Sequence, residues 1–286
     1  MNVREFILKL HLCEGVGIKT EFQIYQAMID QPFHGNIKDI CQLAGLTQHK
    51  TLQITTSWHS QTLNNQVQQH IKQCPFITIF DEQYPLQLRE IYCPPLVLFY
   101  AGDIGLLKST MLGVVGARKN TRYGAQSIRC ILPGVIQHSI TVVSGLATGI
   151  DGLSHMTALE NHGRTIGVIG TGLDVSYPTQ NQALQTEMAR TQLVITEYPL
   201  GARPYRSHFP ERNRIIAGLC ETLLVVEAQE KSGSLITASI CVQENRNVCA
   251  IPGRITDSMS VGCNQLIAAG AKPVLTAEDL LLEFRK

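Results

Sequence analysis

The residue order predicts an α/β fold: an extended Rossmann-like, doubly wound, mostly parallel sheet preceded by a small all-helical domain. Three observations carry this. From Met111 onward, short apolar runs alternate with helix-capable stretches. The runs are apolar throughout rather than alternating, as strands buried on both faces should be. They end in glycine-bearing turns (Gly116, Gly145, Gly170, Gly233, Gly253), and the carboxyl edge of an open α/β sheet is where ligands bind.

Residues 1–74 are expected to form the helical domain. Phe6, Ile7, Leu10 and His11 fall at helical spacing, as do Phe22, Ile24, Tyr25 and Met28. Gly15 and Gly17 lie in the turn that joins these two helices. Such a pair can offer amides to a DNA phosphate, as helix-hairpin-helix modules do, or can simply make a tight turn. Residues 75–286 are expected to form the sheet domain. Runs 76–80 and 96–100 read as strands with a loop between them. Further strands are expected at 112–117, 141–144, 165–169, 193–197, 222–227, 247–251 and 273–275. Parallel pairing demands crossovers between them, and these run right-handed.

Composition narrows the function classes. The chain has 286 residues, 44% hydrophobic and 16% charged, with a formal net charge of +1. That suits a globular protein and argues against a uniformly basic DNA binder. The charge is uneven, however: residues 111–214 hold ten Lys/Arg against six Asp/Glu. Nine cysteines without a CxxC pair suit reduced thiols in the cytoplasm. The histidines show no HExxH or HxxxH, so no metal is expected. A charged start without a long apolar core argues against a signal peptide, and no run is long enough to cross a membrane.

The turns suggest phosphate contacts. Gly116-Ala117-Arg118 lacks the second glycine of GxGxxG, and no acid stands at the ribose position after the second strand. A dinucleotide is therefore disfavoured. Arg118, with Arg122 nearby, suits an external phosphate instead. Ser144-Gly145 opens a second turn. Asp151 and His155 lie one helical turn apart there, and with no nucleophile or third partner they read as structural. Gly170-Thr171-Gly172 can wrap an anion, with Tyr177 able to stack. Arg203, Arg206, Arg212 and Arg214 interleave with Tyr205, His208 and Phe209, a composition suited to a single-strand groove: cations for phosphates, rings for bases. Lys231-Ser232-Gly233-Ser234 opens a helix as an anion nest but lacks the P-loop pattern, so ATPase chemistry is not expected.

The segments GVVGARKNTRYG, VVSGLATGIDGLSH, TIGVIGTGLDVSYPTQN, ITEYPLGARPYRSHFPERNRIIAG, VVEAQEKSGSLITA and IPG…GCNQLIAAGA stand in this order. Together they closely resemble the DNA-processing protein A (DprA/Smf) family, over residues from about 75 to the end; the helical start matches only loosely. The resemblance implies a non-enzymatic protein of natural transformation. Such a protein binds single-stranded DNA, protects incoming strands and helps load the RecA recombinase. It also implies a homodimer, no cofactor, and phosphate contact by Gly116, Arg118, Ser144, Gly145, Gly170, Arg212, Arg214, Gly233 and Ser234. The helix carrying Asn264, Leu266 and Ile267 resembles the family's self-association region. Ser154 and Cys220 depart from the family's usual small residues with little consequence. The winged-helix domain of some relatives is not expected in this chain. The alternative is a nucleotide-cleaving enzyme of the lysine-decarboxylase-like phosphoribohydrolase type, whose PGGxGTxxE loop supplies a catalytic glutamate. Here SGSLITA occupies that turn, with no glutamate after it.

Overall fold

A computed structural model describes residues 2–30 and 36–284. Five helices come first: α1 (Val3–His11), α2 (Ile18–Asp30), α3 (Ile37–Leu43), α4 (Gln48–Trp58) and α5 (Gln61–Gln73). Asn2, Asn36, Thr47 and Ser60 cap four of them, each side chain accepting an amide of the first turn. Such a cap stabilises a helix by about 1 kcal/mol. The apolar stripes meet inside the unit, where Phe6 packs on Trp58 with ring centroids 4.7 Å apart.

The sheet strands are β1 (Phe76–Thr78), β2 (Val97–Gly102), β3 (Met111–Val115), β4 (Thr141–Ser144), β5 (Thr165–Ile169), β6 (Leu193–Thr196), β7 (Thr222–Val225), β8 (Asn247–Ala250) and β9 (Lys272–Pro273). Their order is β1-β2-β6-β5-β4-β3-β7-β8-β9. From β6 to β9 every pairing is parallel, whereas β1 and β2 add an antiparallel flank against β6. The sequence pattern predicts that β3 and β7 run on to residues 117 and 227, two further than they do. They stop at Val115 and Val225 because the chain turns out of the sheet there.

Side chains along the central strands alternate between two helical layers, although both layers are apolar. Leu112 and Val114 face α7 (Arg122–Ile136), α8 (Ile150–Glu160) and the C-terminal helix Ala277–Leu281. Val115, Leu223 and Val225 face α10 (His208–Leu219), α11 (Gly233–Gln243) and α12 (Val261–Ala268), in a core continuous with the helical unit. Burial on both sides explains why the sequence runs carry no polar alternation. The crossover helix between β5 and β6 is α9 (Gln182–Thr191), and the short helix between β1 and β2 is α6 (Leu86–Arg89).

The chain leaves β3 toward β4 but leaves β7 toward β8, on the opposite side. Val115 stands opposite Val225, so the two loops depart from one level of the sheet and diverge. A crevice opens where strand order reverses.

Candidate nucleic-acid interface

That crevice is a cleft of ≈ 730 Å³. Its floor is the β3 turn, Gly116 to Lys119, and one wall is the start of α11 with Ser232, Gly233 and Ser234. The other wall comes from the start of α10, with Phe209 and Arg212, and from Arg206 just before it. Four cationic side chains (Arg118, Lys119, Arg206, Arg212) line it against one acid, Asp151, so its potential is positive. Two helices also begin here, α8 and α11, neither with a side-chain cap bond. The first amides of α8 are spent on the Ala117 and Ala147 carbonyls, so it is the start of α11, at Gly233 and Ser234, that adds to the pull on an anion.

Two contacts fix the geometry. Gly149, with φ +78°, starts α8 so tightly against the β3 turn that an added Cβ would lie 2.2 Å from the Ala117 carbonyl oxygen. The Ile150 amide donates to that same oxygen at 3.1 Å. At Gly145 a Cβ would lie 1.7 Å from Nη1 of Arg212, whose guanidinium crosses directly over the glycine. Arg212 is only 4% exposed, donates from Nη1 to the Val168 carbonyl at 2.7 Å, and leaves Nε without a partner. Burial pulls its pKa down and nearby Asp151 pulls it back. Burial also raises the Asp151 carboxyl, against the opposing pull of Arg212. Arg212 therefore sets a buried positive charge at the lip of the cleft, with its unpartnered Nε inside the protein.

Aromatic rings accompany the charges. The Arg118 guanidinium lies 5.2 Å from the centroid of Phe209, and Tyr177 lies 5.6 Å from the same ring. On the far flank of the α10 start, His208 stacks on Tyr198 at 3.9 Å and meets Tyr205 edge-on at 5.1 Å. A smaller recess joins Gly145, Gly170 and Thr171 to Arg118, Phe209 and Arg212.

The structure therefore gathers Gly116, Arg118, Gly145, Gly170, Arg206, Arg212, Gly233 and Ser234 around one opening. The remaining candidates stand apart from it. Arg122 opens α7, Arg203 lies in the loop before α10, and Lys231 takes φ 60° in the loop before α11; all three are exposed but do not line the cleft. Ser144 is fully buried and donates to the Val114 carbonyl at 2.6 Å, tying β4 to β3. Arg214 points away and pairs with Glu197 at 2.5 and 2.7 Å. Lys119, Asn213, Gln229 and Met259 line the cleft without having been singled out. Lys119 and Asn213 neighbour arginines in the motifs; Met259 carries no local signal and is brought in when its carbonyl accepts the Ala228 amide.

Asp151 and His155 share no proton. His155 is fully buried, with Nδ1 2.6 Å from the Thr165 hydroxyl. Thr165 already donates to the Val142 carbonyl, so the imidazole is the donor and carries its proton on Nδ1. Burial, with Arg212 close by, lowers its pKa to about 3. Glu227, at the end of β7, is equally committed: its carboxylate accepts the Thr121 amide at 2.9 Å and the Thr121 hydroxyl at 2.5 Å. Among the described residues, no group of three His, Cys, Asp or Glu side chains is placed to hold a metal ion. No helix among them is long and apolar enough to cross a membrane.

Residues 75–285 match the family model for DNA recombination-mediator protein A. The chain belongs to that family. It is 49% identical over 210 residues to the DNA processing protein DprA of Streptococcus pneumoniae, covering 73% of this chain and 74% of that one. It is 44% identical over 209 residues to DprA of Bacillus subtilis, covering 73% and 70%. The crystal structure of the pneumococcal DprA superposes over 100% of both chains, with a TM-score of 0.90 and 39% identity. A DNA processing protein A from Helicobacter pylori, studied for its single-stranded DNA binding mode, superposes over 74% of this chain and 96% of its own, with a TM-score of 0.66 and 26% identity. The six segments lie within the matched residues, and their turns meet at one edge of the sheet.

Proposed function

We propose that this chain binds single-stranded DNA in the cleft at the β3–β7 switch point and delivers it to recombination during natural transformation. The observation that carries the reading is the alternation, around one opening, of Arg118, Arg206 and Arg212 with Tyr177 and Phe209, beside the uncapped start of α11. Guanidinium groups and free amides hold phosphates; exposed rings stack on bases that are not paired. Membership of the family and the single-strand-binding relative support it. The committed Glu227 carboxylate and the Ser232–Ser234 wall suit binding rather than nucleotide cleavage.

The finer reading is a cytoplasmic homodimer that protects incoming strands and loads RecA onto them, and it rests on family likeness. Leu266 and Ile267 are half-buried on α12, beside exposed Ala268 and Ala269. Asn264 holds the neighbouring loop, exchanging bonds with Gly253 at 3.1 and 3.2 Å. A second copy on this face would set two clefts on one strand and raise its effective concentration.

The test is a salt-titrated anisotropy measurement with labelled oligo-dT and a blunt duplex. Tight single-strand binding that falls steeply with salt, and much weaker duplex binding, are expected. Equal affinity for the two, or binding indifferent to salt, overturns the reading. For the RecA role, the chain should speed the onset of RecA ATP hydrolysis on single strands; an unchanged onset removes that part alone.

A further inference from the structure

The arginine-bearing loop between β6 and α10 is rooted by two histidines of the helical unit. His70, in α5, is 5% exposed. Its Nδ1 lies 2.8 Å from the Gln66 carbonyl, and its Nε2 accepts the Leu200 amide at 3.1 Å. One nitrogen faces an acceptor and the other a donor, so the ring must be neutral with its proton on Nδ1. His11, in α1, meets the Glu21 carboxylate at 3.0 Å through Nδ1 and the Glu197 carbonyl at 2.7 Å through Nε2. Both partners only accept, so this ring carries two protons. The two imidazoles rest on the same side chain, Phe99 of β2, at 5.8 and 5.4 Å. The Gly201 amide is held by Asp174 at 2.8 and 3.0 Å, and the Ala202 carbonyl by the Gly172 amide at 3.0 Å. Beyond this pinned root Arg203, Tyr205, Arg206 and Ser207 are all exposed.

We propose that His70, backed by His11, is a positioning residue for the nucleic-acid cleft. By accepting the Leu200 amide it sets where Arg203 and Arg206 stand, and so couples single-strand affinity to the helical unit and to its own protonation. The inference rests on the single-strand reading above. Protonating His70 puts an N–H against the Leu200 N–H, which breaks the bond at the loop root. The groups facing His70 are His11, which disfavours that proton, and Asp174 and the Gln66 carbonyl, which favour it; burial outweighs them and lowers its pKa. The groups facing His11 are Glu21 from α2, Glu197 from the end of β6, and Arg214 from α10, which pairs with Glu197. The root is therefore intact while His70 is neutral, and is released as pH falls and His70 takes a proton.

The test compares the parent chain with His70→Leu and His70→Gln, reading oligo-dT affinity at several pH values and hydrogen exchange at the Leu200 amide. Leucine cannot accept the amide. Its affinity should fall by roughly three- to tenfold at neutral pH, the consequence of losing one hydrogen bond, and Leu200 should exchange faster. The Gln carbonyl can accept but does not titrate. That variant should match the parent at neutral pH and keep its affinity in acid, where the parent declines. A His70→Leu variant that binds and exchanges like the parent overturns the inference. So does a His70→Gln variant that loses affinity in acid together with the parent. Should His70→Leu fail to fold, the Gln comparison decides by itself. A parent that binds no single strand at all defeats the single-strand reading, and the affinity coupling with it. Intact parental binding with unaltered variants defeats only this inference.

Discussion

Gly145 is where one residue's lack of a side chain matters most, because Arg212 occupies the space. Replacing it with alanine must move a guanidinium that is buried and tethered to Val168. Gly145→Ala should therefore lose single-strand affinity to the same degree as Arg212→Ala, and the double variant should lose little more than either single one. Additive losses in that cycle, measured by anisotropy, would separate the two residues. Arg118 is a simpler case, being exposed and resting on Phe209. Arg118→Ala should weaken binding by about 1–3 kcal/mol, the scale of a charge-assisted contact. Its melting temperature should stay within a degree or two of the parent, because an exposed loop arginine contributes little packing. A variant that binds like the parent removes Arg118 from the site. Individual residues were legible in the sequence where they stand on turns. Ser144 was not: its hydroxyl is spent inside the sheet on Val114, a bond that spans 30 positions.

At the scale of elements, α10 divides the arginine cluster. Residues two apart on a helix point about 200° apart, so Arg212 and Arg214 cannot serve one groove. Arg212 turns to the cleft, while Arg214 joins Glu197 and His11 where the helical unit meets the sheet. That junction carries a pH signature. Burial disfavours the His11 charge, but Glu21 and Glu197 more than compensate and raise its pKa to about 9. A histidine raised from its ordinary 6.5 stabilises the fold fully below that value and loses the contribution as pH rises through about 9. The contribution is on the order of 3 kcal/mol. The denaturation midpoint should therefore drop between pH 7 and 10, and His11→Gln should flatten that drop. A parent whose midpoint holds steady across this range excludes a charged His11.

At the scale of the molecule, the question is whether two clefts act together. Leu266 and Ile267 pack partly on the chain's own core and leave part of their surface outward. If α12 joins two copies, Ile267→Glu should give a folded monomer by light scattering, with an unchanged circular dichroism spectrum. Its affinity for long strands should fall more than its affinity for short ones. A parent that is monomeric at tens of micromolar, or a variant that simply unfolds, assigns Ile267 to the core.

The residue order alone determined the parallel sheet, the helical start and the edge at which the turns collect. These follow from apolar runs and glycine positions, which act over a few neighbours. Only the tertiary structure decided which cations share an opening. Arg118, Arg206, Arg212 and Ser234 meet because the chain leaves β3 and β7 in opposite directions, and strand order is not written in any local pattern. The commitment of Arg214 to Glu197 and of Glu227 to Thr121 was hidden for the same reason: each pairing joins segments distant in the chain. So was the role of His11 and His70. An imidazole's charge is set by what faces its two nitrogens, and those partners, Glu197 and Leu200, lie 186 and 130 positions away.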